Sequence, residues 1–302
     1  MIRFGLCCIF KDQPIKFSTT TARFLLTMDR NGQLEKLSEL CLNNARSLLK
    51  AFEFCKANDI GCFRIVSQIL PLKTHPQIAY DFDDLPDGKE IVDTFKTCGQ
   101  FLQKNGLRAS MHPDQFVVLN SPNPDVVSSS IAEIEYQAVI AELTGADVIN
   151  IHGGGAYGDK KSAMKRFAEN FDKLSTRAKS RLTVENDDKV YSPADLLPLC
   201  KKLNIPLVYD VHHHRCLKDN LSEELATKKA LATWNREPMF HISSPLEGWQ
   251  GPKPHRHHDF IDPADFPEFW QSLNLTIEVE AKAKEIAVLK LINDLKKPGK
   301  AT

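Results

Sequence analysis

The sequence predicts an α/β fold, a single (β/α)8 TIM barrel. Two observations carry this: a strand-then-helix rhythm that recurs from end to end, and potential metal ligands that gather at strand ends instead of scattering. Eight short segments read as strands, at 3–10, 62–69, 107–112, 147–152, 181–186, 206–211, 239–244 and 275–280. They are rich in β-branched and apolar residues and are bounded by polar or Pro/Gly punctuation. Several are almost continuously apolar, as parallel strands covered on both faces are. An open doubly wound sheet is the competing architecture.

The intervening segments carry helical spacing. Over 33–54, Leu34, Leu37, Leu40, Cys41, Ala45, Leu48, Leu49 and Phe52 recur at intervals of three and four. A last helix at 282–296 places Ile286, Leu289, Ile292 and Leu295 on one stripe. Ser192-Pro193 pairs a capping side chain with a proline at the first helical position. The long connection 11–30 is a candidate active-site loop. Residues 1–297 read as one domain and 298–302 as a disordered tail.

Composition bounds the class. The 302 residues are 42% hydrophobic and 26% charged, ordinary for a soluble globular protein. Lys+Arg and Asp+Glu both total 39, which excludes coating nucleic acid by bulk charge but permits a local charged cleft. The eight cysteines include no CxxC pair, so neither a disulfide framework nor a zinc knuckle is expected. Strand-like sequence begins at Ile2, and no apolar run approaches the roughly 18 residues of a membrane span. The expectation is a reduced, cytoplasmic, monomeric protein.

The chemistry collects at the strand ends. His112 follows the third strand, His152 the fourth, Glu185 lies in the fifth, and Asp210 with His212, His213 and His214 follows the sixth. His241 lies in the seventh strand, His257 in the loop after it, and Glu280 ends the eighth. In a (β/α)8 barrel those ends converge on one face. Carboxylates brought together repel unless a cation neutralises them, and carboxylate with neutral imidazole is a donor set for zinc, manganese or iron. A polynuclear metal site follows.

The strings MHPDQF (111–116), NIHGGGAYGDK (150–160), TVENDDK (183–189), YDVHHH (209–214), HISSP (241–245), HHDFID (257–262) and EAKAKE (280–285) resemble the UV damage endonuclease family, in that order. Phosphodiesterases of the endonuclease IV type are similar in barrel and trinuclear logic. The resemblance implies three metals. His112, His152 and Glu185 would hold the first; Glu185 would bridge to a second completed by Asp210, His241 and Glu280; His213 and His257 would take the third. Glu185, Asp210 and Glu280 would be the catalytic carboxylates, with two to three divalent ions per chain, Mn²⁺ first and Zn²⁺ or Mg²⁺ as alternatives. The implied reaction is hydrolysis of damaged double-stranded DNA on the 5′ side of a UV photoproduct or other distorting lesion, leaving a 3′ hydroxyl. Divalent cations suit it because they acidify water and stabilise charge on the attacked phosphate.

By the same resemblance, Gln115 and Phe116 would enter the duplex at the lesion, where damage lowers the few kcal/mol that unstacking costs. The bland alternative is that Phe116 packs under its loop. Gly153-Gly154-Gly155 lacks the spacing of a phosphate loop and reads as a place where backbone approaches the site or DNA closely. Lys253, His255 and Arg256 are candidate phosphate contacts or a solvated loop. Two positions depart from the family pattern: Leu6, where an aromatic residue commonly follows the first strand's glycine, and Met239, where a modifiable lysine is usual. A thioether does not replace a carboxylate for a hard cation. Met239 and His241 are two apart, so on one strand they share a face, and Met239 is expected near the cluster.

Two rival classes stay open at this point. Sugar isomerases and epimerases use this barrel with one or two metals and do not require the His213/His257 pair. A metal-stabilised damage sensor would bind distorted DNA without cutting it.

Overall fold

The computed structural model describes residues 2–296, in which eight parallel strands close into a barrel in chain order. They are β1 (Ile2–Cys7), β2 (Cys62–Ile65), β3 (Arg108–Met111), β4 (Val148–His152), β5 (Leu182–Glu185), β6 (Leu207–Asp210), β7 (Met239–Ile242) and β8 (Leu275–Val279). The circuit is closed by β1 against β8, from Ile2↔Leu275 to Leu6↔Val279, which rules out the open sheet. The helices are α1 (Ala22–Leu25), α2 (Arg30–Ala57), α3 (Gly88–Asn105), α4 (Pro124–Thr144), α5 (Lys160–Phe171), α6 (Thr176–Lys179), α7 (Pro193–Leu203), α8 (Val211–Cys216), α9 (Glu223–Leu231) and α10 (Glu285–Lys296). The expected tail 298–302 lies outside the described residues.

Local chemistry sets the boundaries. The Asp29 side chain accepts from the Gly32 amide at 2.9 Å, so α2 starts three residues before the apolar periodicity does. Ser192 and Asp195 cap each other's amides, with Pro193 opening α7. Gly106 and Gly145 end α3 and α4 in the left-handed region, at φ 63° and 74°. The last helix begins at Glu285, later than the expected 282. The Glu285 carboxylate accepts the backbone amides of Lys11 and Asp12 at 2.8 and 2.7 Å, and so ties down the loop after β1.

The strands alternate more sharply than their apolar composition suggests. Phe63, Met111, Ile149, Ile151, Val184, Tyr209, Phe240 and Ile277 are buried in the main hydrophobic core. The residues between them are polar and equally buried: Arg64, Ser110, Asn150, Thr183, His241 and Glu278. These fill the lumen, because Ser110 on β3 and Arg64 on β2 both bond to Glu278 on β8, across strands that are not neighbours. Towards the N-terminal end, Cys62, Val148 and Met239 meet from β2, β4 and β7 and seal the interior with apolar atoms. The candidate ligands stand at the opposite, C-terminal mouth.

Candidate metal centre

All eight expected ligands converge at that mouth. Ligating atoms lie within 4.8 Å of one another in three overlapping sets: His112, His152 and Glu185; Glu185, Asp210 and His213; Asp210, His241 and Glu280. His257 joins from the loop after β7, its Nδ1 3.7 Å from Glu280 Oε2 and its ring centroid 6.1 Å from that of His213. The grouping differs from the implied three-way partition in one respect. His213 Nδ1 stands 3.3 Å from Glu185 Oε1 and 3.5 Å from Asp210 Oδ2, so it belongs with the bridging carboxylates as well as with His257.

Each side chain is held by its element. Asp210 ends β6 and caps α8, one carboxylate oxygen accepting the His213 amide at 2.7 Å. Its other oxygen, Oδ2, is left facing the cluster. Asn186, one residue past β5, reads the end of β6 from the side: its Nδ2 donates to the Asp210 carbonyl at 2.8 Å and its Oδ1 accepts the Asp210 amide at 3.0 Å. Glu185 Oε2 receives Asn150 Nδ2 at 2.5 Å and His112 Nε2 at 3.0 Å. Glu185 Oε1 faces the Nδ1 atoms of His241 and His213 at 3.2 and 3.3 Å.

Carboxylates and imidazoles set each other's charge in this buried space. Burial pushes the Glu185 carboxyl up, but His241, His152, His112 and His213 together hold it well below the usual carboxylate range. Burial likewise acts against the charged form of His241, yet Glu185 and Glu280 raise that imidazole to about 10. His213 is raised well above its ordinary value, the pull of Asp210 and Glu185 overcoming burial. His152 goes the other way, because burial dominates and keeps it neutral. His152 Nδ1, Glu185 Oε1, Asp210 Oδ2 and His241 Nδ1 are buried without a hydrogen-bond partner. Unpartnered buried polar atoms cost about 1–3 kcal/mol each. Four of them converging on one space is what a mixed N/O metal site requires, and the donor set fits the ions expected.

Several contributors were not read from the sequence. Ser110, Asn150 and Glu278 each lie on a strand two residues before a candidate ligand that ends or directly follows it, so they form the layer beneath the cluster. Arg64 rises into that layer, its Nη1 2.7 Å from Glu280 Oε1. The spacing of two was the available signal. His214 turns away, bonded to the Tyr209 hydroxyl at 2.7 Å and Asp219 at 3.0 Å. His212 is buried against Trp249 and His257, with ring centroids 5.1 and 5.2 Å apart. Met239 is fully buried on the same side as His241 but one layer deeper, among Cys62 and Val148, and does not line the cluster. That corrects the expectation that it stands near the ligands.

The loop after β3 carries Gln115 and Phe116, both exposed, with Phe116 at 76%. Phe116 therefore does not pack under its loop. It borders a cleft of about 770 Å³ that also includes Gln68, Lys73, His75 and Val126. The glycine run also has a packing reason within the protein. Gly154 is left-handed at φ 83°, and a Cβ there would meet Asn120 Oδ1 at 2.2 Å. Asn120 clamps the carbonyls of Gly153 and Gly155 at 2.6 and 2.8 Å, so the run packs against protein. Of the basic loop residues, Arg256 pairs with Glu247 at 3.2 Å.

The comparisons agree with this geometry. The family model "UV-endonuclease UvdE" matches residues 2–301. A UV DNA damage endonuclease of Bacillus cereus (strain B4264) is 33% identical over 98% of this chain and 95% of its own length. The crystal structure of SacUVDE superposes with a TM-score of 0.86 at 32% identity, covering 98% of both chains. D-psicose 3-epimerase from Clostridium cellulolyticum H10 shares the fold alone, with a TM-score of 0.55 at 13% identity over 92% of this chain and 84% of its own. A barrel of this topology, its strand-end histidines and carboxylates, and a match along nearly its whole length place the chain in the UV-endonuclease UvdE family.

Proposed function

We propose that the protein is a divalent-metal-dependent DNA repair endonuclease. It hydrolyses the phosphodiester bond on the 5′ side of UV photoproducts and other distorting lesions and leaves a 3′ hydroxyl. The observation that carries the reading is the set of four unpartnered buried atoms at the barrel mouth, two imidazole nitrogens and two carboxylate oxygens. His112, His152, Glu185, Asp210, His213, His241, His257 and Glu280 would hold two to three ions, with Mn²⁺ the first candidate and Zn²⁺ or Mg²⁺ the alternatives. Bound there, divalent cations supply an acidified water and charge stabilisation for the attacked phosphate and the leaving oxygen.

The chain's own residues do the rest. Asn150 donates to one oxygen of Glu185 and fixes the direction of the carboxylate, while the Pro113 carbonyl beside His112 Nδ1 leaves His112 Nε2 turned toward Glu185, where both would serve one ion. Asp210 is aimed by its cap on α8 and by Asn186. Gln115 and Phe116 stand exposed on the rim, where they can enter a weakened base stack and report distortion without reading one adduct. The cleft beside Phe116 offers room for displaced bases. Every ligand comes from one chain, so a monomer suffices, and the DNA substrate places its work inside the cell.

The test is an end-labelled duplex carrying one UV photoproduct, incubated with purified protein and Mn²⁺. A single lesion-dependent nick on the 5′ side, extendable by a polymerase and abolished by a chelator, is expected. Lesion-dependent binding without a nick would make the protein a sensor. No interaction with the duplex, together with turnover of a ketose, would make it an epimerase.

A further inference from the structure

Beneath the cluster lies a charged layer that the reaction itself does not require. Glu278 is 1% exposed in the lumen, where Arg64 donates to it through Nε at 2.7 Å and Ser110 through its hydroxyl. Its chain fits because β1 offers no side chain opposite: a Cβ at Gly5 would come within 3.2 Å of Glu278 Cγ. An isolated carboxylate at such a site would be expelled or neutralised, so these partners hold it ionised and fixed in direction. It points at His241. Glu278 Oε2 is 3.0 Å from His241 Nε2, while the other ring nitrogen, Nδ1, faces Glu185 and Glu280 at 3.2 and 3.4 Å.

Resting on the metal reading above, we propose that Glu278 is a positioning residue of the metal centre, the acceptor that turns the lone pair of His241 Nδ1 toward the ion. An imidazole that binds a cation through one nitrogen carries its hydrogen on the other, and a carboxylate accepting that hydrogen fixes both tautomer and ring angle. Two groups reach His241 Nε2, and they act oppositely. Arg64 Nη2, 2.9 Å away, can only donate, which would leave the hydrogen on Nδ1 and block it as a ligand. Glu278 can only accept, which leaves Nδ1 free. Arg64 is already engaged by Glu278 Oε2 and by Glu280 Oε1, so its part is to hold the two carboxylates in place. Glu278 thereby couples the centre of the barrel to the metal site through one ring.

The experiment reads metal and tautomer, not turnover. Protein labelled with ¹⁵N-histidine is loaded with diamagnetic Zn²⁺, and each ring's protonation is assigned by NMR; metal content is followed by equilibrium dialysis and elemental analysis. In the wild type, His241 should carry its hydrogen on Nε2 and bind through Nδ1. Glu278→Gln keeps the volume but supplies a neutral acceptor, and Glu278→Met supplies none. One metal equivalent should weaken about tenfold in the first and about a hundredfold in the second, the other equivalents staying put. Wild-type His241 bound through Nε2 would overturn the proposal even if both variants failed to fold. So would variants that keep every equivalent at wild-type affinity with an unchanged His241 signature. Wild-type protein that takes up no divalent cation would overturn the metal reading itself, and this inference with it.

Discussion

The two oxygens of Glu185 are unequally used. One of its oxygens is filled by Asn150 and His112, and the other is buried with no hydrogen bond, facing two imidazoles. Glu185→Gln preserves shape but removes the charge that balances those rings, so the fold should survive while a bridging position is lost. We expect nicking to fall by roughly 10²–10³-fold, the cost of removing one preorganised charged group, with at least one metal equivalent gone. Wild-type turnover with full metal content in that variant would remove the bridge. Why this residue was legible in sequence, and Glu278 was not, is a matter of geometry. Glu185 ends its strand, where barrel topology alone sends it to the active face. Glu278 sits mid-strand in LTIEV, and what it meets depends on β2, β3 and β7 crossing the lumen, which no linear pattern encodes. Arg64 was absorbed into an apolar run for the same reason.

At the scale of elements, the strands and the long helices follow from periodicity, and their ends follow from caps that periodicity does not report, as with Asp29 ahead of α2. Loops were harder to read. The glycine run after β4 has the composition of a ligand-approaching loop, and composition alone did not show that its left-handed Gly154 also serves the Asn120 clamp. The loop after β3 is the opposite case, since a large aromatic left 76% exposed has no packing reason to be there. Replacing Gln115 and Phe116 together with alanine should cost about 1–3 kcal/mol of stacking, roughly five- to 150-fold in affinity for damaged duplex. Metal content should not change, because neither side chain is among the clustered ligands. Equal preference for damaged over undamaged duplex in wild type and variant, measured by competition binding, would remove the wedge.

The whole molecule balances 39 basic against 39 acidic residues, yet concentrates buried carboxylates at one end of one barrel. Ions that bind the folded site and not the unfolded chain add stability by mass action, about 2.7 kcal/mol per site at a hundredfold excess over Kd. Thermal melting should therefore shift upward by several degrees with Mn²⁺ and return on chelation. An identical midpoint in both conditions would mean that no ion is held by the folded state. The closed barrel was legible because eight alternations admit few topologies; the polar filling of its lumen was not, because apolar and lumen-facing residues alternate within strands too short to reveal it. That filling also bears on descent. Arg64 is shared by Glu278 and Glu280 out of reach of water, so losing Arg64 alone strands a buried charge at about 3–5 kcal/mol and losing Glu278 alone loosens His241, whereas replacing both by apolar residues can be nearly neutral for folding. Lineages can cross between the two interiors only by paired change or through an impaired ancestor, and a barrel that has acquired the pair is held to it by its own epistasis.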